Sequence, residues 1–427
     1  MCPILPASDH LRTVEARIAE FESLAGAIPL QLVFTDSVRI KIVRPASYVG
    51  GGYIEKLAQR IEEEGIELLL VDAKLSPIQQ RNLERDTGAK VLDRTALILE
   101  IFGARASTRE GVLQVELAHL NYQKSRLVRS WTHLERQRGG GGFMGGPGET
   151  QIESDRRQIQ NRVSLLEQRI EKVRRTRGLQ RKPRKEAPYP FVALVGYTNA
   201  GKSSLFNRLT GADVVAKDQL FATLDTTVRR AELPHGRPIM LSDTVGFVAD
   251  LPTDLIAAFR ATLEEVTQAD IILHVRDVSN PDHVAQARDV LSVLADLGVT
   301  GETAKIIEVW NKVDQLNQVE GDDIAANVLS PADNVFDSVP ASALTGDGVP
   351  DLLTSIEAAL SIDSETFHLL LPHDACNKLG WLYKHAEILK RHDPVDQGTE
   401  FLVRVQTLDR TRFITRFAQY LLDQKVA

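Results

Sequence analysis

Between Phe191 and Leu205 the chain reads FVALVGYTNAGKSSL, an apolar run joined to an amphipathic one through Gly196, four residues, Gly201, Lys202 and Ser203. This is G-x-x-x-x-G-K-S, the spacing of a phosphate-cradling loop between a buried strand and a helix. A triphosphate concentrates negative charge. Its site needs inward-turned backbone N–H groups, a helix N-terminus, one flexible cation and a hydroxyl for a metal ion. Gly196, Tyr197, Thr198, Asn199, Ala200, Gly201, Lys202, Ser203 and Ser204 are the expected phosphate-binding stretch, with Lys202 reaching the β and γ phosphates and Ser203 ligating Mg²⁺. Alternating strands and helices after Phe191 predict an α/β domain built on a mostly parallel, doubly wound sheet.

Two later motifs fix the ligand. Ile239–Leu241 leads into Ser242-Asp243-Thr244-Val245-Gly246, a D-x-x-G about 40 residues after the phosphate loop. Asp243 suits Mg²⁺ through a water, and the Gly246 N–H suits the γ-phosphate. A second apolar strand, Ile306–Trp310, delivers Asn311-Lys312-Val313-Asp314. The Asp314 carboxylate can accept from guanine N1–H and N2–H, for which adenine has no counterpart, while Asn311 and Lys312 brace the loop. Ser342-Ala343-Leu344 follows, and its backbone N–H groups can meet guanine O6. The order predicts guanine specificity, with GTP as substrate and GDP as product. Thr223, Thr226 and Thr227 are all candidates for the switch threonine on Mg²⁺, and spacing does not choose between them. After D-x-x-G stands Phe247, where Ras-like enzymes carry a water-orienting glutamine. A benzyl side chain makes no hydrogen bond to water, so no catalytic residue is assigned and slow intrinsic hydrolysis is expected.

At 427 residues the chain exceeds a single core. Two cysteines, Cys2 and Cys376, exclude a disulfide framework, and no apolar run reaches the ~18 residues of a membrane span. The N-terminus lacks the basic and apolar regions of a signal peptide, so a cytoplasmic location is expected, and the chain is expected to be a monomer in solution. Net charge is −7, yet His119–Glu186 holds 17 basic and 7 acidic residues, which localises a polyanion-binding surface.

That segment lies in two helical patterns. Leu113, Leu117, Leu120, Leu127, Trp131 and Leu134 form one 4-3 stripe, with Lys124 at its missing seam position. Ile152, Ile159, Val163, Leu166, Ile170 and Val173 form the other, and together they predict an antiparallel hairpin. The connection RQRGGGGFMGGPGETQ has seven glycines, more than a reversal needs. Arg136, Arg138, Arg156 and Arg157 flank it, and Gly139, Gly140, Gly145 and Gly146 permit close approach to a phosphate backbone. Phe143 and Met144 could insert against a base or an apolar partner. A solvated, self-contained loop is the alternative. Beyond Val173 the basic run reads as a linker, ended by Pro183, Pro188 and Pro190.

Upstream, Leu30–Phe34 and Val38–Val43 read as strands, Tyr53–Glu64 as a helix, Ile66–Val71 as a buried strand, Ser76–Thr87 as a capped helix and Lys90–Leu92 as a strand. Gly50, Gly51 and Gly52 read as a loop before the first of these helices, with anion binding there as the alternative. Downstream of Leu360, FHLLLP, a helical stretch Asn377–Lys390, the strand Glu400–Gln406 and a helix near Phe413–Leu422 predict a small α+β domain. His368, His373, His385 and His392 lack metal-ligand spacing. The expected units are 1–110, 111–187, 188–362 and 363–427.

The stretches Ser125–Arg157, Gly196–Asp225 and Asp243–Glu265 resemble HflX, a ribosome-associated GTPase family of the Obg-related branch, and the likeness runs from about Tyr48 to Glu265. FATL resembles the FTTL of Obg proteins and so nominates Thr223, although Thr226 stands where that family usually has proline. Phe247 agrees with the family's hydrophobic replacement of the glutamine. The resemblance implies a GTPase that docks on the large ribosomal subunit, meeting rRNA and ribosomal proteins through its N-terminal helical and glycine-loop region, and that dissociates ribosomes in its GTP state. Hydrolysis stimulated by the ribosome is the corresponding expectation. A large-subunit assembly factor, or a nucleotide-gated protein scaffold that binds no RNA, shares every residue named. No second phosphate-loop signature occurs before residue 110, so ATP-driven activity there is not expected.

Overall fold

A computed structural model describes residues 1–4, 12–137, 147–185, 189–211, 221, 226–249, 265–301, 304–316, 335–362, 364–395 and 398–423. The chain opens with β1 (Cys2–Ile4), α1 (Val14–Gly26), β2 (Ser37–Arg39), α2 (Gly51–Glu63), β3 (Leu68–Val71), α3 (Pro77–Thr87), β4 (Lys90–Asp93) and α4 (Arg94–Arg105). β1 pairs with β2 and β3 with β4, all parallel. The Met1 ammonium donates to the Leu70 carbonyl and the Asp72 N–H to Met1, so the two pairs adjoin. Local signals start the helices. Thr13 caps α1, Ser76 and Gln79 form a reciprocal capping box on α3 with Pro77 at its first turn, and Asp93 caps α4.

Helix α4 is buried on nearly every side because it lies between two units. Leu97, Ile98, Leu99, Ile101 and Phe102 share one hydrophobic core with Phe21 and Leu24 of α1 and with Val195, Tyr197, Val245, Phe247 and Val248 of the nucleotide domain. Apolar burial on this scale fixes the N-terminal unit against the phosphate loop.

Helices α5 (Arg109–Gln137) and α6 (Pro147–Lys185) form the predicted hairpin. Leu113, Leu166 and Ile170 make its buried seam, with Leu117, Leu120 and Val173 packed around it. Lys124, at the polar seam position, reaches across to Gln160, and Arg162 pairs with Glu116. Residues 138–146, which hold Arg138, Gly139, Gly140, Phe143, Met144, Gly145 and Gly146, lie outside the described residues, as does the side chain of Arg136. Arg156 and Arg157 are exposed on α6, and Arg157 pairs with Glu153 one turn away.

The nucleotide domain contains β5 (Phe191–Gly196), α7 (Lys202–Thr210), β6 (Thr227–Glu232), β7 (Pro238–Asp243), β8 (Ile271–Asp277), α8 (His283–Asp296), β9 (Lys305–Asn311), β10 (Asp337–Pro340) and α9 (Val349–Ser361). Its strand order is β10-β9-β8-β5-β7-β6, parallel throughout except for β6. Leu194, Leu273, Val275, Ile307 and Val309 face α7 and α9, whereas Ala193, Val195, Ile272 and Ile306 face the core shared with α4 and α8. These strands are apolar on both faces because both are covered. The C-terminal unit has β11 (Ser364–Leu371), α10 (Leu379–His385), β12 (Ala386–Val395), β13 (Gly398–Gln406), α11 (Thr407–Phe417) and β14 (Leu421–Asp423), in an antiparallel sheet of order β12-β13-β11-β14.

Several expected elements differ. Leu30–Phe34 forms no strand and leaves Leu32 and Val33 exposed, and the strand read over Val38–Val43 is confined to Ser37–Arg39, where β1 supplies its partner. Apolar alternation gives strand propensity, but a strand needs a neighbour to hold it. Gly51 and Gly52 form the first turn of α2 rather than a loop. α6 continues through Pro183 to Lys185. The helix expected over Asn377–Lys390 ends at His385, and β12 follows because Ala386–Val395 finds a ladder on β13. The last helix starts at Thr407, well before the expected Phe413.

Candidate functional site

The phosphate loop leaves β5 at Gly196 and enters α7 at Lys202, so the N-terminus of α7 closes the turn. Gly196 runs so near β8 that a Cβ would stand 2.2 Å from the Val275 carbonyl oxygen. Gly201 has φ 89°, and a Cβ there would stand 2.2 Å from Asn311 Nδ2. Both positions need glycine. Asn199 also adopts a left-handed conformation, φ 61°. Ala200 is buried, and Ser204 lies in the first turn of α7.

Lys202 is buried, and its Nζ donates to the carbonyls of Gly196 (3.1 Å) and Tyr197 (2.7 Å). Burial lowers its pKa to about 8, opposed by the nearby Asp243 carboxylate. Ser203 Oγ donates to Asp243 Oδ2 at 2.7 Å. A hydroxyl and a carboxylate are hard oxygen donors of the kind Mg²⁺ accepts from protein in phosphate-loop sites, where substrate and water supply the rest. Thr227 sits opposite Asp243 in the β6–β7 ladder. Thr226 Oγ1 is buried and has no hydrogen-bond partner among the described residues, whereas Thr223 lies outside them. A buried hydroxyl with nothing to bond is a position where an arriving ligand gains.

At the other end, Asn311 bridges two loops. Its Nδ2 donates to the Ala200 carbonyl at 2.8 Å and its Oδ1 accepts from the Ala343 N–H at 2.9 Å. Lys312, in a left-handed conformation, pairs with Asp277 at 2.7 Å. Asp314 Oδ1 accepts from Ser342 Oγ at 2.6 Å. The structure therefore brings Asn311, Lys312, Asp314, Ser342 and Ala343 together at the carboxyl ends of β9 and β10, where open α/β sheets bind ligands. The Ala343 N–H, expected on guanine O6, is already engaged by Asn311.

Phe247 is not simply a glutamine position left blank. Its ring is buried in the core shared with α4, and its backbone forms a parallel bridge to the phosphate loop. Phe247 N–H donates to Gly196 O at 3.1 Å, and Thr198 N–H donates to Phe247 O at 2.7 Å. Gly246 sits so close that a Cβ would stand 3.1 Å from Lys202 Nζ.

The N-terminal unit supplies groups that no motif announces. Tyr197 Oη donates to Glu20 Oε2 at 2.9 Å and accepts from the Ala249 N–H at 2.7 Å. Arg94 pairs with Glu20 and with Asp72 and donates from Nε to the Ala249 carbonyl. Phe102 meets Phe221 edge to face at 4.6 Å, and Phe221 holds φ 55°, a strained value for a bulky residue. Glu20, Arg94 and Phe102 carry no sequence signal beyond that of an amphipathic helix.

Across 389 residues the chain is 48% identical to GTPase HflX of Magnetococcus marinus, covering 91% of this chain and 87% of that protein. The chain belongs to the HflX family of GTPases. Against GTPase HflX of Escherichia coli K12, identity is 41% over 395 residues, with 92% and 91% of the two chains covered. Family models match as GTP-binding GTPase N-terminal (15–103), GTP-binding GTPase Middle Region (105–184), 50S ribosome-binding GTPase (191–312) and HflX C-terminal domain (327–419). A solved GTP-binding protein of Sulfolobus solfataricus in complex with GDP aligns over 84% of this chain and 98% of that one, at 24% identity and TM-score 0.41. As an HflX protein the chain binds GTP and hydrolyses it to GDP and phosphate. Among the described residues, no helix is long and apolar enough to cross a membrane, and no cluster of three His, Cys, Asp or Glu side chains suits a metal ion.

Proposed function

We propose that this GTPase is a ribosome-associated factor that docks on the large subunit and, in its GTP state, dissociates ribosomes. One observation carries the reading. Phe221, from the switch stretch, rests on Phe102 of α4, and α4 leads within a few residues into α5 of the basic hairpin. A nucleotide-dependent shift at Phe221 therefore has a packed route to the segment that holds 17 basic and 7 acidic residues. The family model over 191–312 is described as a 50S ribosome-binding GTPase, which agrees in kind.

In this reading the N–H groups from Tyr197 to Ser204 cradle the phosphates, Lys202 neutralises the β and γ groups, and the Gly246 N–H meets the γ-phosphate after the Phe247 bridge yields. Ser203, Asp243 through a water, and one of Thr223, Thr226 or Thr227 hold Mg²⁺, which when bound supplies charge neutralisation on the phosphates. Asp314 reads guanine N1–H and N2–H. Arg156 and Arg157, with Arg136, Arg138 and the glycine-rich tip, meet rRNA. Because Phe247 is committed to the core, fast hydrolysis waits on a group or an ordering event supplied by the ribosome. The two nucleotide states must differ in ribosome affinity for the cycle to turn.

The test measures GTP turnover with and without large subunits, co-sedimentation with a non-hydrolysable GTP analogue, and light scattering of intact ribosomes. Stimulated turnover, GTP-dependent pelleting and a fall in scattering are expected. Unstimulated turnover with no pelleting would end the ribosomal reading. Pelleting without a scattering change would point to subunit assembly. Binding that ignores salt and charge reversal at Arg156 and Arg157 would point to a protein partner.

A further inference from the structure

Switch segment Gly246–Ala249 is held at both ends. At its start, Phe247 exchanges two backbone hydrogen bonds with Gly196 and Thr198. At its end, both polar groups of Ala249 are taken: the N–H by Tyr197 Oη, the carbonyl by Arg94 Nε. Tyr197 is itself part of the phosphate loop, and its hydroxyl is oriented by Glu20, a residue 177 positions away on α1. Glu20 and Asp72 balance Arg94, while Arg12 joins Glu20 to Asp289 on α8 and Arg17 adds to Asp72. Guanidinium and carboxylate groups thus alternate through one connected cluster. Arg94, Asp72 and Tyr197 are buried, so loss of one partner leaves an uncompensated polar group in low dielectric.

In this arrangement the Thr198 N–H is taken by a switch carbonyl, and Gly246 leaves no room for a side chain beside Lys202 Nζ. Lys202 is the cation expected on the γ-phosphate, and the Thr198 N–H belongs to the loop that cradles the phosphates. GDP ends at the β-phosphate and tolerates the arrangement better than GTP does.

We propose that Glu20 and Arg94 are positioning residues for the nucleotide switch, acting through the Tyr197 hydroxyl and the backbone of Ala249 to hold Gly246–Ala249 against the phosphate loop. The N-terminal unit thereby biases the site between diphosphate and triphosphate without touching either. Differential affinity follows from the geometry: a ligand shifts a two-state equilibrium only by what it gains in one state over the other. Burial and the Glu20 carboxylate both raise the Tyr197 pKa, which keeps the hydroxyl protonated and able to donate. The inference stands apart from the ribosomal reading, since it concerns purified protein and nucleotide alone.

The test is a pair of affinities, for GDP and for a non-hydrolysable GTP analogue, in the full-length chain carrying Glu20→Ala or Glu20→Gln. Glu20→Ala is expected to move the ratio of the two affinities about ten-fold towards the triphosphate, the scale of one lost charge-assisted hydrogen bond. Glu20→Gln, which keeps an acceptor for Tyr197, should recover part of that shift. Tyr197→Phe keeps the ring in the core and removes only the hydroxyl, so it should move the ratio in the same direction even if Glu20→Ala does not fold. The double variant Glu20→Ala/Tyr197→Phe should then move it no further than the larger single change. Equal changes in both affinities, or an unchanged ratio in Tyr197→Phe, would overturn the proposal, because a merely structural role weakens both nucleotides alike.

Discussion

The two ends of the nucleotide site are braced differently. At the guanine end the supports come from the same domain: Asn311 to Ala200 and Ala343, Lys312 to Asp277, Asp314 to Ser342. At the phosphate end the loop and the segment after D-x-x-G lean on another unit, through Phe102, Glu20 and Arg94. Base recognition is the same in every step of a GTPase cycle and gains from rigidity. The γ-phosphate comes and goes, so its end must be able to report. A site assembled from one domain recognises, and a site leaning on a neighbour can transmit.

The largest effect expected from breaking this division is at Phe102, which is fully buried against Phe221. Phe102→Ala should cost about 3–5 kcal/mol of stability from lost burial and the cavity left behind, measured by denaturant unfolding of the GDP-bound protein. Affinity for the GTP analogue should fall with it. Selectivity for GTP over ITP, which lacks the 2-amino group read by Asp314, should persist. If selectivity collapses as well, the two ends are not separately supported and the comparison fails.

The same division separates what is legible in the amino-acid sequence from what is not. The guanine end is legible because its parts are short motifs on strand ends: Asn311-Lys312-Val313-Asp314 follows β9, and Ser342-Ala343 follows β10. The hairpin is legible because Leu113, Leu166 and Ile170 repeat at helical spacing. The outer half of the phosphate end is not. Glu20 and Arg94 are charged residues among others in helices α1 and α4, with nothing local to mark them, and their partners Tyr197 and Ala249 stand far away in the chain, at 177 and 155 residues. Only the fold supplies that adjacency. The chemistry of Phe247 already says that it cannot orient water, but its place in a core shared with α4 is tertiary information. The strand expected over Leu30–Phe34 fails for a related reason: its apolar run is real, but among the described residues no strand pairs with it.

Asn311 touches both ends, since it holds Ala200 of the phosphate loop and Ala343 of the guanine loop. Asn311→Ala removes two hydrogen bonds in a buried setting, about 2 kcal/mol in all. Weaker binding of both GDP and the GTP analogue is expected, together with a smaller preference for GTP over ITP. A loss confined to one of these readouts would show that the bridge serves only one end.

The smallest expected effect separates the ends by pH. Lys202 is buried, and burial lowers its pKa to about 8, whereas an ordinary lysine titrates near 10.5. Bound phosphate favours the charged form and raises that pKa. Affinity is then fully present below about pH 8 and falls as pH rises through it, approaching ten-fold per unit until the bound-state pKa is reached. Between about pH 7.5 and pH 8.5 the loss should be roughly three-fold, about 0.7 kcal/mol. Titration calorimetry near the upper limit, in two buffers of different ionisation enthalpy, should register about three-quarters of a proton taken up per nucleotide. Guanosine, which presents the base without phosphates and so does not reach Lys202, should bind with an affinity nearly independent of pH over that interval, because the guanine N1–H titrates above it. A matching slope for guanosine would place the titrating group at the guanine end and remove Lys202 from the account. A flat profile for GDP would mean that the ammonium is already held in its charged form by Asp243 before the phosphate arrives.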